Sequence, residues 1–285
     1  MNERGDGSKE TRGPGRPSEW AVGFLNRILG PLLTILFRPT LSGLENLPAD
    51  RPFLLVANHS GGLGLAELSC FAALYAAKYG TGRPLAGFAL PIGFRVWPLS
   101  AIHRALGSVP STYEAAEDAL GRGVPLLVFP GGDHETLRPI WQANRVDFAG
   151  RCGFLRIAHK ANAPIVPMGI RGGHFTAPIL LRSKALAWAL AFPRLAGVKR
   201  WGISLFGLIV SGVILTAPFA WVIRVILVWL WLGSPFVYLP IIPWRIRFII
   251  GSPLPPDSLF SPDDHDMGKA LDIVEQEVQK LVNLA

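Results

Sequence analysis

The stretch Phe53-Leu-Leu-Val-Ala-Asn-His59-Ser-Gly-Gly-Leu-Gly-Leu-Ala-Glu67 decides the fold. Phe53 to Ala57 is a short, uninterrupted apolar run, the pattern of a strand covered on both faces. Asn58-His59 ends it, a Gly-rich turn follows, and an apolar helix starts near Leu65. This places His59 at the carboxyl end of a strand and just before a helix, where open α/β sheets bind ligands. A lone His is more often structural than catalytic, so the other strand ends have to decide its role.

Downstream, Ser111 to Leu120 reads as a helix with a Ser111/Glu114 capping box and Gly121 and Gly123 behind it. Val124 to Phe129 reads as a second buried strand and runs into the polar loop Pro130-Gly-Gly-Asp-His-Glu135. Phe154 to Ala161 reads as a helix and Pro164 to Ile170 as a third strand. Upstream, Thr40 to Leu47 reads as a short strand and turn. Strands alternating with helices predict an α/β fold with a central, mostly parallel or mixed sheet flanked by helices. Arg245 to Ile250 reads as a last strand, and Met267 to Leu284 as an amphipathic closing helix.

Composition narrows the setting. Of 285 residues, 50% are hydrophobic and 17% charged, and the formal net charge is +8. That is too apolar for an ordinary soluble enzyme and not apolar enough for a polytopic transporter. From Leu181 to Ile250 there are eight basic residues and no acid. A basic, apolar, acid-free region suits an anionic membrane face. Nucleic acid is not expected as a partner, because the charges flank apolar runs instead of forming a polar stripe. Trp201 to Ile223 carries no charge over 23 residues, and after Arg224 come 20 more uncharged residues to Trp244. The first run is long enough to span a bilayer. The second holds Gly233, Pro235, Pro240 and Pro243, so a tilted, monotopic or re-entrant insertion fits at least as well. A buried apolar subdomain is the alternative. Trp20 to Phe37 is expected to be an interfacial or core helix, broken or kinked at Gly30-Pro31. Residues 1–18 read as a disordered tail, and 19–285 as a single domain that includes a membrane-associating apolar segment, 181–244. Two Cys, Cys70 and Cys152, give no disulfide framework.

Several signatures fail on inspection. Gly62-Leu-Gly64 is half a dinucleotide fingerprint, with Glu67 where the third Gly belongs. There is no nucleophile elbow and no phosphate loop. His134-Glu-Thr-Leu-Arg138 has Arg where a zinc helix needs its second His, so no metal is expected. His103, His159, His174 and His265 read as surface or packing residues.

What remains is three loops at strand ends: Asn58-His-Ser-Gly-Gly62, Phe129-Pro-Gly-Gly-Asp133 and Ile165-Val-Pro167. Their order and spacing resemble the glycerolipid acyltransferases, the superfamily of lysophosphatidate and diacylglycerol acyltransferases. Gly43-Leu-Glu-Asn-Leu-Pro48 and Leu106-Gly-Ser-Val-Pro-Ser111 are similar to further blocks of that family. The resemblance covers about Thr40 to Ile170. It implies an O-acyltransferase in which His59 is the general base, and a fatty acyl group passes from an acyl-CoA or acyl-carrier protein to a lipid or glycerolipid hydroxyl. Beyond that co-substrate no cofactor is implied. Membrane lipids are the implied partners, with the catalytic domain on the cytoplasmic side of a membrane. Ser60, Gly61, Gly62, Pro130, Gly131, Gly132, Glu135, Arg138 and Pro167 are the implied substrate contacts.

The chain departs from the family pattern in three places. The family's H-x4-D acid falls on Gly64, so Glu67 or, from the other loop, Asp133 or Glu135 has to orient His59. Gly131 stands where the family has Glu. The block at Leu106 to Ser111 carries no Arg. The last two departures point away from a phosphorylated glycerol, and the Pro-Gly-Gly form resembles the branch that acylates diacylglycerol or other lipid alcohols. Two other readings stay open: a catalytically silent lipid-binding protein on the same fold, and a thioester or ester hydrolase.

Overall fold

The computed structural model describes residues 13–260 and 267–285. Nine strands form among them: β1 Thr40–Ser42, β2 Leu54–Ala57, β3 Ala86–Ala89, β4 Val109–Pro110, β5 Leu126–Val128, β6 Ile165–Arg171, β7 Ile179–Ser183, β8 Trp201–Ser204 and β9 Arg247–Ile250. Seven build one sheet in the order β1-β9-β6-β2-β5-β3-β4, and β7 pairs with β8 in a second, two-stranded sheet. All pairings in the main sheet are parallel except β6 with β9. The expected mixed, mostly parallel α/β sheet is the observed one.

β2 shows why its sequence is apolar without a break. Leu54 and Val56 point into a core shared with the helices Tyr113–Gly121, Gly153–Lys160 and Met267–Leu284. Phe53, Leu55 and Ala57 point the other way, against the helices Gly30–Phe37 and Leu65–Tyr79. Both faces are therefore covered, and a polar residue on either would be buried without water.

Four local expectations are corrected. The helix after β4 is capped by Thr112, whose hydroxyl accepts from the Ala115 N–H at 3.2 Å. Ser111 is instead tied to the sheet through its own N–H and the Ala89 carbonyl. The N-terminal helix does not break at Gly30-Pro31. It runs from Glu19 to Phe37 through a π stretch at Leu25–Leu29, in which the Gly30 N–H reaches back to the Leu25 carbonyl. Widening the turn just before the proline relieves the ladder position that Pro31 cannot fill. Of the expected tail, residues 1–12 lie outside the described residues, as does His265; Ser18 caps the first helix and bonds the Ala105 carbonyl.

The fourth correction concerns the long apolar run. Trp201 to Ile223 is not one helix. Trp201 is buried in β8 and its indole N–H donates to the Leu232 carbonyl at 2.7 Å. Ser204 then caps a helix at Leu205–Thr216, and a second helix follows at Trp221–Gly233. The two pack together as a hairpin of 12 and 13 residues. At about 1.5 Å per residue each is roughly 20 Å long, short of the roughly 30 Å hydrocarbon core. Arg224, the one charge in this region, donates to the Phe219 and Leu215 carbonyls at 2.7 and 2.8 Å and so closes the turn. One helix among the described residues, Glu19–Phe37, is long and apolar enough to cross a membrane.

Candidate active site

The adjacent parallel strands β6, β2 and β5 deliver three loops at their carboxyl ends, residues 172–176, 58–64 and 129–138. Asn58 fixes the first of these junctions. Its amide donates to the Ile170 carbonyl at 2.9 Å and accepts from the Ile170 N–H at 2.8 Å, extending the β2–β6 ladder by a side-chain rung.

His59 follows immediately. Its Nδ1 lies 2.6 Å from Glu67 Oε1, and its side chain is 11% exposed, enough to leave one edge reachable. Glu67 sits in the first turn of the helix Leu65–Tyr79 and faces back toward the strand end. Its second oxygen accepts the Ser60 N–H at 2.5 Å. Burial raises the Glu67 pKa, and the bond from His59 works against that rise. Phe129 from the β5 loop stacks on the imidazole, with ring centroids 4.2 Å apart. The loop between strand and helix needs its glycines. Gly61, Gly62 and Gly64 all have positive φ, a region that suits glycine. A Cβ on Gly61 would come within 2.7 Å of the His174 backbone.

Glu135 is fully buried and bridges two segments. One oxygen accepts the His59 N–H and the other the Asp147 N–H, each at 3.0 Å. Burial pushes its pKa up to about 8. The rest of the second loop is braced by arginines. Arg151 donates to the Pro130 and Gly131 carbonyls at 3.1 and 2.7 Å and pairs with Asp133 at 2.7 Å. Arg200 approaches Asp133 at 3.6 Å, Arg182 donates to the His134 carbonyl, and His134 bonds Asp147 at 2.9 Å. Among the described residues no group of three or more His, Cys, Asp or Glu could hold a metal ion.

Comparison with known proteins bears on this arrangement. The acyltransferase family model matches residues 38–171, the span that holds β1 to β6 and both polar loops. Residues 38–171 are thus similar to the acyltransferase family. The crystal structure of the 1-acyl-sn-glycerophosphate (LPA) acyltransferase PlsC from Thermotoga maritima shares the fold, with a TM-score of 0.50 at 19% identity over 92% of this chain and 80% of that one. An uncharacterized protein of Mycobacterium tuberculosis is 31% identical over 174 residues, which is 60% of this chain and 48% of that protein. A Mycobacterium leprae protein, also uncharacterized, is 31% identical over 177 residues, 60% of this chain and 47% of its own length. The chain thus spans about half the length of these curated relatives.

Within the matched span the predicted site residues separate into groups. His59 and Glu67 meet. Asp133 does not join them, because Arg151 and Arg200 hold it. Ser60 is buried, its hydroxyl accepting the Gly173 N–H at 2.8 Å. Arg138 is also buried, its guanidinium 4.0 Å from Asp147, and so is not a surface contact for substrate. Glu135 faces the backbone of His59 and not open space. Pro130 and Gly131 are buried and Gly132 is half-buried beside them. Pro167 is a misplacement: it lies inside β6, in register with Val56. The strand runs on to Arg171, so the loop at its end is 172–176, which carries the buried His174. Sequence reasoning placed Phe129 in the second loop but gave it no role, and missed Arg151, Arg182 and Arg200 as parts of this neighbourhood. The role of Phe129 was open to inference, since it directly follows β5 as Asn58 follows β2; the arginines come from distant segments and carry no local signal.

Proposed function

We propose that this acyltransferase moves a fatty acyl group from an acyl thioester, acyl-CoA or acyl-carrier protein, to the hydroxyl of a lipid or glycerolipid, with His59 as general base. The observation that carries the reading is the 2.6 Å contact between His59 Nδ1 and the buried Glu67. With Nδ1–H donating to Glu67, Nε2 keeps its lone pair. It can take the proton of the acceptor hydroxyl as that oxygen attacks the thioester carbonyl. The tetrahedral intermediate then expels the thiolate, which recovers the proton from the imidazolium. Glu67 stabilises that imidazolium and holds the ring in one orientation. The same contact favours a working site over a silent lipid-binding fold, since it supplies the carboxylate that Gly64 lacks.

Gly131, and the absence of an Arg at Leu106 to Ser111, support diacylglycerol or another lipid alcohol as the acceptor in preference to a phosphorylated glycerol. Membrane lipids are the proposed partners. Trp20, Ile28, Leu32 and Ile35 on the N-terminal helix, and Leu208, Val213, Trp221 and Ile226 on the hairpin, are all exposed. Apolar surface of this extent on the outside of a domain favours burial in a bilayer interface. The basic residues around the hairpin fit the anionic cytoplasmic leaflet.

The test is acyl transfer on purified membranes, with labelled palmitoyl-CoA or palmitoyl-carrier protein and a panel of lipid alcohols and water as acceptors. His59→Ala is expected to lose about 10²- to 10⁴-fold in turnover while the chain stays with the membrane. Retained turnover in that variant would overturn the mechanism. Turnover independent of any alcohol would make the chain a hydrolase.

A further inference from the structure

Gly131 is the family's Glu position, and its backbone gives no reason for a glycine. Its φ and ψ are −63° and −28°, ordinary helical values open to any residue. The reason lies in space. A Cβ at position 131 would lie 2.2 Å from Glu135 Oε2 and 2.3 Å from its Cγ. The volume that a side chain at 131 would occupy is filled by the carboxylate of Glu135, one helical turn later. Position 64, Gly where the family has Asp, differs in its cause: its φ of +76° itself suits glycine, and the acid again stands about one turn on, at Glu67. In both loops the acid lies about one turn past the family's position, and at 131 the glycine makes room for it.

What the displaced carboxylate does is printed in its bonds. Glu67 takes the Ser60 N–H, and Glu135 takes the His59 N–H. Two consecutive amides of the loop that carries the base are thus held by two buried glutamates from different loops. Glu67 orients the ring; Glu135 has no contact to the ring nitrogens and acts on the main chain beneath it.

The geometry points to Glu135 as the positioning residue of His59, seated over Gly131 so that the main chain of the base cannot shift. This deepens the acyltransferase reading for its kinetic consequences, while the amide bond itself is independent of that reading. Gly131→Ala is the sharp variant. It tolerates the backbone, adds one methyl, and displaces the Glu135 carboxylate from the His59 N–H.

The experiment uses the full chain, with histidines labelled on the backbone nitrogen and the His59 signal assigned by its absence in His59→Ala. Gly131→Ala and Glu135→Ala are each expected to move the His59 amide proton upfield, since each takes the Glu135 oxygen away from that N–H. With palmitoyl-CoA and dioleoylglycerol as probes, each is expected to lower kcat roughly 10²-fold, the scale of a misplaced catalytic group, with KM little changed. The double variant should be no worse than Glu135→Ala, because both changes break one contact. Gly131→Glu with Glu135→Ala, which returns the acid to position 131, is expected to recover part of kcat. An unmoved His59 amide in Gly131→Ala overturns the proposal, as do losses that multiply in the double variant. If the wild type transfers no acyl group to these probes, the enzymatic reading suffers alone, and the amide shift still decides the role of Glu135.

Discussion

Two regions of this molecule are equally apolar and meet opposite fates. β2 and its neighbours bury their side chains completely: Leu54, Leu55 and Val56 are 0% exposed. The hairpin of Leu205–Thr216 and Trp221–Gly233 turns its side chains outward, with Val213 at 65% and Trp221 at 72%. The first region uses hydrophobicity to hold a polar loop in place. The second leaves it unspent on the protein's own interior, available to something else. Apolar content therefore does not distinguish core from contact surface here; what distinguishes them is whether the sheet covers the residues.

The contrast can be broken or sharpened by experiment. The largest effect belongs to the loop that the core supports. His59→Ala removes about 10²- to 10⁴-fold in turnover, and Glu67→Gln should fall in the same range with unchanged membrane association, measured by acyl transfer and by fractionation. Next comes the core itself. Leu55→Ala creates a cavity beneath that loop and should cost about 2–5 kcal/mol, read from denaturant unfolding in detergent.

A smaller effect lies in two buried titrating groups. Burial holds the His174 imidazole down to about 3. An unfolded His takes up its proton near pH 6.5, so between about 6.5 and 3 the unfolded chain binds a proton that the folded one refuses. Stability is then lost as pH falls, by up to about 1.4 kcal/mol per pH unit, and His174→Gln should flatten that slope. Glu135 has the reverse sign. With its pKa raised from 4.5 to about 8, the folded state keeps a proton that the unfolded state releases, and stability is lost as pH rises through that window. Glu135→Gln should remove this second slope. The smallest effect on stability belongs to the exposed region: Val213→Ser should stay within about 0.5 kcal/mol. The same change should weaken binding to anionic vesicles, measured by flotation. A destabilisation like that of Leu55→Ala would instead make the hairpin part of the core.

The parts of the fold legible in the sequence are those where one physical demand acts alone. β2, β5 and the helix Leu65–Tyr79 could be read because continuous burial and Gly-rich ends leave few alternatives. β3 was not read, since Ala86–Ala89 has neither β-branched residues nor alternation. Trp201 to Ile223 misled because hydropathy sums over a run and is blind to Ser204, which ends a strand and caps a helix only four residues into it. In the site, His59 was legible from its place at a strand end, and Glu67 from being the nearest downstream acid. Asp133 was misassigned because its partners, Arg151 and Arg200, are 18 and 67 residues away, beyond any local pattern. Pro167 was misplaced because the block Ile165-Val-Pro167 is placed in a strand-end loop, although the same segment reads as strand and Pro167 lies inside β6.

The π stretch in the N-terminal helix has a consequence for how that helix lies. Its inner contacts are Ala21, Leu25, Leu29, Leu33 and Phe37, spaced by four residues throughout. On a regular helix at 3.6 residues per turn, a spacing of four drifts by about 40° each turn, roughly 160° over this length. Such a stripe would wind off the core halfway along. The wider turn at Leu25–Leu29 advances less per residue and takes back part of that drift. The outer residues Trp20, Phe24, Ile28, Leu32 and Ile35 are carried with it. The helix thereby works as a keel, with one straight edge resting on the domain and the other presented in line to whatever lies beneath.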